Sequence, residues 1–287
     1  MSSSNLSGEE KFEQYEKKLA ETVAIPTTRI SGSGKVHIKG IGEVAVAGAG
    51  YISPEEIKIS GSGRLPGGLK VKKISCAGSI GVEGNIEAED LSLSGSTSIA
   101  GNVKAVKLAA AGSLSINGGI NANFAEFAGS CKIGSKVEVD DVLRASGFLK
   151  VSGDVTARNL ADFHGAFDID GRVSTGRFEA KLSRNVSHVK GGIKAGNVTV
   201  KKRGREGIVI FGISLLTWFS REGRLHTTNI ESEGSVYLER VTCDSVLGRS
   251  VSIGEDCTVK GEVRYWDAVT VHSTAKLAFS PKKVCEK

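Results

Sequence analysis

Between Ile57 and Arg177 the apolar residues fall two apart and alternate with Lys, Glu, Ser and Asn, the period of a strand with one face buried. The alternation itself recurs. Ile57, Ile74, Leu91, Leu108 and Ala125 open successive units of 17 residues, and one extra residue each moves the next two starts to Leu143 and Ala161. Small or apolar residues occupy positions 1, 3, 7, 9, 13 and 15 of a unit, with glycine favoured at 5 and 11. The unit from Ile74 reads Ile74, Cys76, Gly78, Ile80, Val82, Gly84, Ile86, Ala88. Self-similarity at a short fixed period marks a solenoid, and helical solenoids need longer repeats and a 3.6 period.

Each unit therefore holds three apolar pairs. Glycine fills the first two junctions between them, and pairs such as Glu89-Asp90, Asp140-Asp141 and Arg158-Asn159 fill the third. Glycine, Asn and Asp tolerate positive φ, so these positions predict corners. At roughly 3.3 Å per residue such a unit closes a perimeter of about 55 Å, and neighbouring units stack roughly 4.8 Å apart. The expected fold is all-β: a single-stranded, three-sided β-helix solenoid of about 17 residues per coil.

Along the chain, residues 1–29 form a leader, with a short amphipathic helix expected over Glu9–Thr22 from Phe12, Tyr15, Leu19 and Val23, and Pro26 ending it. A frayed leader and a helix covering one solenoid end both remain open. The solenoid is placed at 30–202, opening with an irregular first coil that includes Ile30, Val36, Ile38, Val44, Val46 and Ile52. A basic, apolar insertion occupies 203–229, C-terminal coils resume over 230–279 from Ile230, and 280–287 is a polar tail.

Composition sharpens this picture. Thirty-seven glycines and four prolines suit many tight corners and uninterrupted ladders, and 6% aromatic content implies a narrow aliphatic interior. Five cysteines lack the spacing of a disulfide framework, and Met1-Ser-Ser-Ser-Asn does not read as a secretion signal. No apolar run reaches membrane-spanning length. A reduced, cytoplasmic protein is expected, possible peripheral contact at the inner membrane face included.

The charge of +6 is unevenly placed: ten Lys or Arg and two Glu lie between Lys181 and Arg224. Arg203, Arg205 and Arg221 bracket the apolar run Ile208 to Phe219, which includes Phe211 and Trp218. Two readings stand, a buried strand or cap plug and a contact with an anionic membrane. Nucleic acid is not expected, because no stacking aromatics interleave the charges.

Catalytic signatures are weak. Gly32-Ser33-Gly34-Lys35 is followed by Val36 where a phosphate loop needs Ser or Thr, and Arg29 stands where its leading glycine belongs. His164 has no histidine or carboxylate at matching positions of the neighbouring coils, and Asp168 and Asp170 fall on an outer face. No cofactor or metal is expected. The alternative to a non-enzymatic protein is a hexapeptide-like acyltransferase or another β-helix enzyme, although the strict six-residue repeat of the former is absent.

Ile59-Ser-Gly-Ser-Gly63, Gly78-Ser-Ile-Gly-Val-Glu-Gly-Asn-Ile-Glu-Ala88, Ser235-Val-Tyr-Leu-Glu239, Val251-Ser-Ile-Gly254 and Gly261-Glu-Val-Arg-Tyr265 resemble the bactofilins, polymer-forming bacterial cytoskeletal proteins. The resemblance covers about residues 30–278 and includes the larger bactofilin-like members. It implies a right-handed β-helix that assembles with itself, without nucleotide, into non-polar filaments or sheets, and recruits cell-envelope or motility proteins. The residues themselves point the same way. A terminal coil leaves a ring of unpaired backbone groups above an apolar column, so a solenoid must cap its ends or join them to another copy. Val269, Val271, Leu277 and Phe279 follow the strand pattern at the C-terminal end and are the expected self-assembly residues.

Overall fold

The computed structural model describes residues 25–39, 42–202 and 223–284, together with the short strands Val209–Ile210 and Ile213–Ser214. The expected Glu9–Thr22 helix lies outside the described residues. What is described is all-β: a solenoid of about 12 turns with about 17 residues per turn.

One column of side chains shows how the sequence interval becomes a stack. Ile57 pairs with Ile74, which pairs with Leu91, Leu108 and Ala125 in parallel register. The column continues through Leu143, Ala161, Phe178 and Val198, crosses the insertion to Val236, and ends at Val251 and Val269. Every member before Val269 is buried. Alternation keeps position 1, 3, 7, 9, 13 and 15 side chains inward on every rung, so aliphatic side chains stack into continuous columns.

Volume is conserved where aromatic residues enter. Phe127 and Phe163 sit two residues after Ala125 and Ala161, so a large residue faces the interior beside a small one. Phe163, Phe167 and Phe178 then form a buried cluster with ring centroids 5.1, 5.7 and 6.3 Å apart.

Two backbone devices turn the chain. Gly61, Gly78, Gly95, Gly112, Gly129, Gly147 and Gly165 stack in register, each with φ between 100° and 146°. They bend the long strands, which run unbroken through the corner, as Ile86–Ile99 does. The second corner is a side-chain ladder: Asn85 Oδ1 accepts from Asn102 N at 2.7 Å, and Asn102 Oδ1 accepts from Gly119 N at 2.8 Å. Asp154 repeats the arrangement with the backbone N–H of Arg172, and at the corner just before Val198 Asn197 Oδ1 accepts from Ser235 N. Each side-chain oxygen satisfies an amide that the corner removes from the strand ladder.

The start of the solenoid departs from expectation. β1 (Thr28–Ile38), β2 (Gly42–Ile52) and β3 (Glu56–Leu65) form an antiparallel meander, not an irregular coil. The parallel stack begins where β3 meets β4 (Leu69–Val82) and continues into β5 (Ile86–Ile99). The turn between β2 and β3 is fixed by Ser53, whose Oγ accepts from Glu56 N at 3.0 Å and donates to Glu56 O at 3.1 Å. Alternation reads the same in both chain directions, which is why spacing predicted strands here but not their reversal. Gly32-Ser33-Gly34-Lys35 lies within β1 as extended strand rather than as a loop.

Among the described residues one inward-facing hydroxyl is stranded. Thr97 is buried between Ile80 and Leu114 on adjacent rungs, and its Oγ1 has no hydrogen-bond partner. Replacing a stranded hydroxyl by a methyl group removes its desolvation cost, so Thr97→Val is expected to stabilise the fold by about 1 kcal/mol. A higher urea midpoint with unchanged m-value would register this, and a lower midpoint would contradict it.

Candidate self-assembly ends

At the C-terminal end the apolar column runs out into solvent. Val263 is fully buried, Val269 is half-buried, and Val271 is 39% exposed on the same strand, Val263–Val271. Leu277 lies on the short strand Lys276–Leu277, which pairs with Thr258–Val259, and is half-buried against the core. Phe279 is 57% exposed and does not pack on the core. The structure thus brings Val269, Val271 and Leu277 to one terminal rung, with Phe279 standing free beside it.

Backbone pairing at this end is partial. Ser250–Ile253 pairs with Ala268–Val271 on one side, and Lys282–Lys283 covers Arg264–Tyr265. Among the described residues no strand covers the far edge of Ala268–Val271. The N–H and C=O groups of a terminal strand form a template for another strand.

The N-terminal end is built differently. β1 pairs with β2 through its whole length, and among the described residues its other edge carries no strand. Two reversals return β1 to the direction of β3, so the outermost strand has the polarity of the parallel stack although the strand beneath it does not. Val36 and Ile38 are buried, and Ile30 packs half-buried against the core.

The flank carries ion pairs between turns. Lys72 pairs with Glu55 at 2.8 Å, Lys104 with Glu87 at 3.2 Å, and Lys190 with Asp170 at 2.5 Å. The hydrogen bond from Lys190 holds Asp170 below the usual carboxylate range and raises Lys190 in turn. Lys202 pairs with Glu255, and Arg224 donates to the Asp256 carbonyl at 2.8 Å. The positive excess counted between Lys181 and Arg224 is therefore partly met by acids from turns outside that window.

Of the insertion, Val209–Ile210 and Ile213–Ser214 pair antiparallel in a two-stranded sheet separate from the solenoid sheet. Arg203, Arg205, Ile208, Phe211, Trp218, Phe219 and Arg221, the residues expected at a membrane or partner, lie outside the described residues. The ladder itself resumes at Leu225–Thr227, before Ile230, where alternation first becomes plain in the sequence.

Chemically reactive groups are dispersed. Cys76, Cys131, Cys243 and Cys257 are free and buried. Burial pushes the Cys76, Cys131 and Cys243 thiols up to about 12, so these are core side chains without thiolate character. His164 Nε2 lies 3.0 Å from Asp162 Oδ1, a companion two residues back on its own strand that comparison of neighbouring coils overlooks. That oxygen accepts no hydrogen bond, so the N–H is not aimed at it. Asp168 contacts Lys150 at 3.6 Å. Among the described residues no three His, Cys, Asp or Glu side chains converge on a point.

Two surface features escaped the sequence reading. A shallow groove beside the glycine bend is lined mainly by serine, glycine and alanine, with Lys35 and Arg64 as its charged members. Phe124, Val142 and Leu160 stack on successive rungs of the outer surface, Phe124 being 45% exposed. Their signal was present as an apolar residue just before position 1 of three consecutive units, where the preceding units carry Glu, Lys or Asp.

No helix among the described residues is long and apolar enough to cross a membrane. No family model, curated protein or solved structure matches this chain.

Proposed function

We propose that this chain is a non-enzymatic structural scaffold that joins to further copies of itself through its solenoid ends, in the manner of the bactofilins it resembles. The coil is read as right-handed and three-sided, with corners at the glycine column, at the Asn/Asp ladder and at the outward pairs such as Glu89-Asp90. The observation that carries the reading is the C-terminal end. A column buried through every preceding turn finishes at half-buried Val269, exposed Val271 and a strand edge without a partner among the described residues.

A second copy stacked on that edge would pair its backbone groups and cover the apolar rung. If both ends are used, the assembly does not close, and it grows as a filament or, with lateral contacts, a sheet. Nothing in this step consumes nucleotide, because burial and pairing drive it.

Negative-stain electron microscopy of the purified protein without nucleotide tests the proposal. Fibres or sheets with a repeat along the solenoid axis are expected. Discrete particles at all concentrations up to the solubility limit would overturn it.

A further inference from the structure

His188 and His226 are far apart in sequence but adjacent in space. Ser187–Val189 pairs in parallel with Leu225–Thr227, which puts the two histidines on neighbouring rungs. Their ring centroids are 5.5 Å apart and the planes are tilted by 43°. Both side chains face outward, while Ser187, Val189 and Leu225 hold the backbone from inside. Among the described residues no hydrogen bond engages a nitrogen of either ring.

The surroundings are mixed in charge. Asp168 is the rung partner of His188 on its other side, and its carboxylate faces Lys150 at 3.6 Å. Arg224 and Lys260 act on His226, with Arg224 tied to the Asp256 carbonyl at 2.8 Å. Burial first, then His188 and these cations, hold His226 below the ordinary histidine value. An imidazole binds a metal ion through the lone pair of a ring nitrogen, and neither ring spends one on a hydrogen bond among the described residues.

We propose that His188 and His226 form a two-imidazole site for a divalent transition-metal ion such as Cu(II), Ni(II) or Zn(II). Two imidazoles sharing one ion, with metal–nitrogen bonds of about 2.0–2.1 Å, place their ring centroids roughly 4.5–5.5 Å apart. The observed separation sits at the upper end of that range, within reach of a small side-chain rotation. Imidazole pairs favour Cu(II) over Ni(II) and Zn(II) by the usual divalent order. No third protein ligand converges among the described residues, so water completes the coordination. The site spans the turns before and after residues 203–222, and a bound ion would tie those turns together.

The test is a calorimetric titration of the full chain with Ni(II), which leaves thiols unoxidised, followed by electron paramagnetic resonance of the Cu(II) form. One ion per chain is expected, with a two-nitrogen signature. Because the second imidazole acts as an intramolecular ligand, His188→Gln and His226→Gln should each weaken binding by about 100-fold. His272→Gln, a histidine elsewhere on the surface, should leave it unchanged. Circular dichroism checks that each variant is folded, and Ni(II) should raise the melting temperature of the native chain but not of the double variant. The inference is overturned if the double variant binds as tightly as the native chain, if only one of the two histidines matters, or if no ion binds below millimolar concentration.

Discussion

Gly112→Ala is expected to lower the unfolding free energy by roughly 2–4 kcal/mol, a large loss for a single methyl group. Gly112 holds φ at 106°, where a side chain is strained, and a Cβ placed there would lie 2.3 Å from the Gly95 carbonyl oxygen of the turn below. The obstructing atom is backbone in a ladder, so relief requires the two turns to separate. The constraint recurs one rung on, where a Cβ added at Gly129 would lie 2.3 Å from the Gly112 carbonyl oxygen. Gly81→Ala is the matched control: its Cβ meets nothing within 4 Å and its φ lies outside the left-handed region. That substitution should be neutral or slightly stabilising. Urea unfolding followed by circular dichroism compares the two, and equal midpoints would show that the glycine column is not what sets the bend.

That column also shows how far the sequence could be read. Glycine every 17 residues beside a strict alternation admits few folds, because a step of one residue would turn every inward side chain outward. So the stack from Ile57 to Ala161, and the interior position of Cys76 and Cys131, were legible from spacing alone. Direction was not: β1 and β2 alternate as well as any coil, and only their antiparallel pairing shows that they reverse. Nor was the Asn85–Asn102 ladder, since an outward Asn at a corner reads as a solvated residue until its neighbour is known to sit one rung above. The contacts hardest to foresee cross the insertion. His188 meets His226, and Lys202 meets Glu255, only because the ladder is resumed at Leu225 after a segment with its own composition. Window-based charge counting fails for the same reason, as the partners of Lys190 and Lys202 come from other turns.

Val271→Glu should abolish assembly while leaving the fold intact. Val271 is 39% exposed on the terminal strand, so in the single molecule a carboxylate there remains hydrated and the expected change in stability is within about 0.5 kcal/mol. In a stacked pair the same carboxylate would be covered by the next copy, without a partner, at a cost of several kcal/mol per junction. Since each 1.4 kcal/mol is a factor of about ten in association, even 3 kcal/mol weakens a junction more than about a hundredfold. A polymer depends on every junction, and its critical concentration rises by the same factor. Thr270→Glu separates position from charge: Thr270 is the neighbouring residue on the same strand, exposed on the outer surface by alternation, and its variant should still assemble. Sedimentation velocity of the three proteins at matched concentration reads the outcome directly. A small, folded V271E species beside polymeric native and T270E protein is expected. Polymers of V271E indistinguishable from the native ones would remove the C-terminal rung from the interface, whereas loss of assembly in both variants would trace the effect to charge at this end rather than to the covered apolar position.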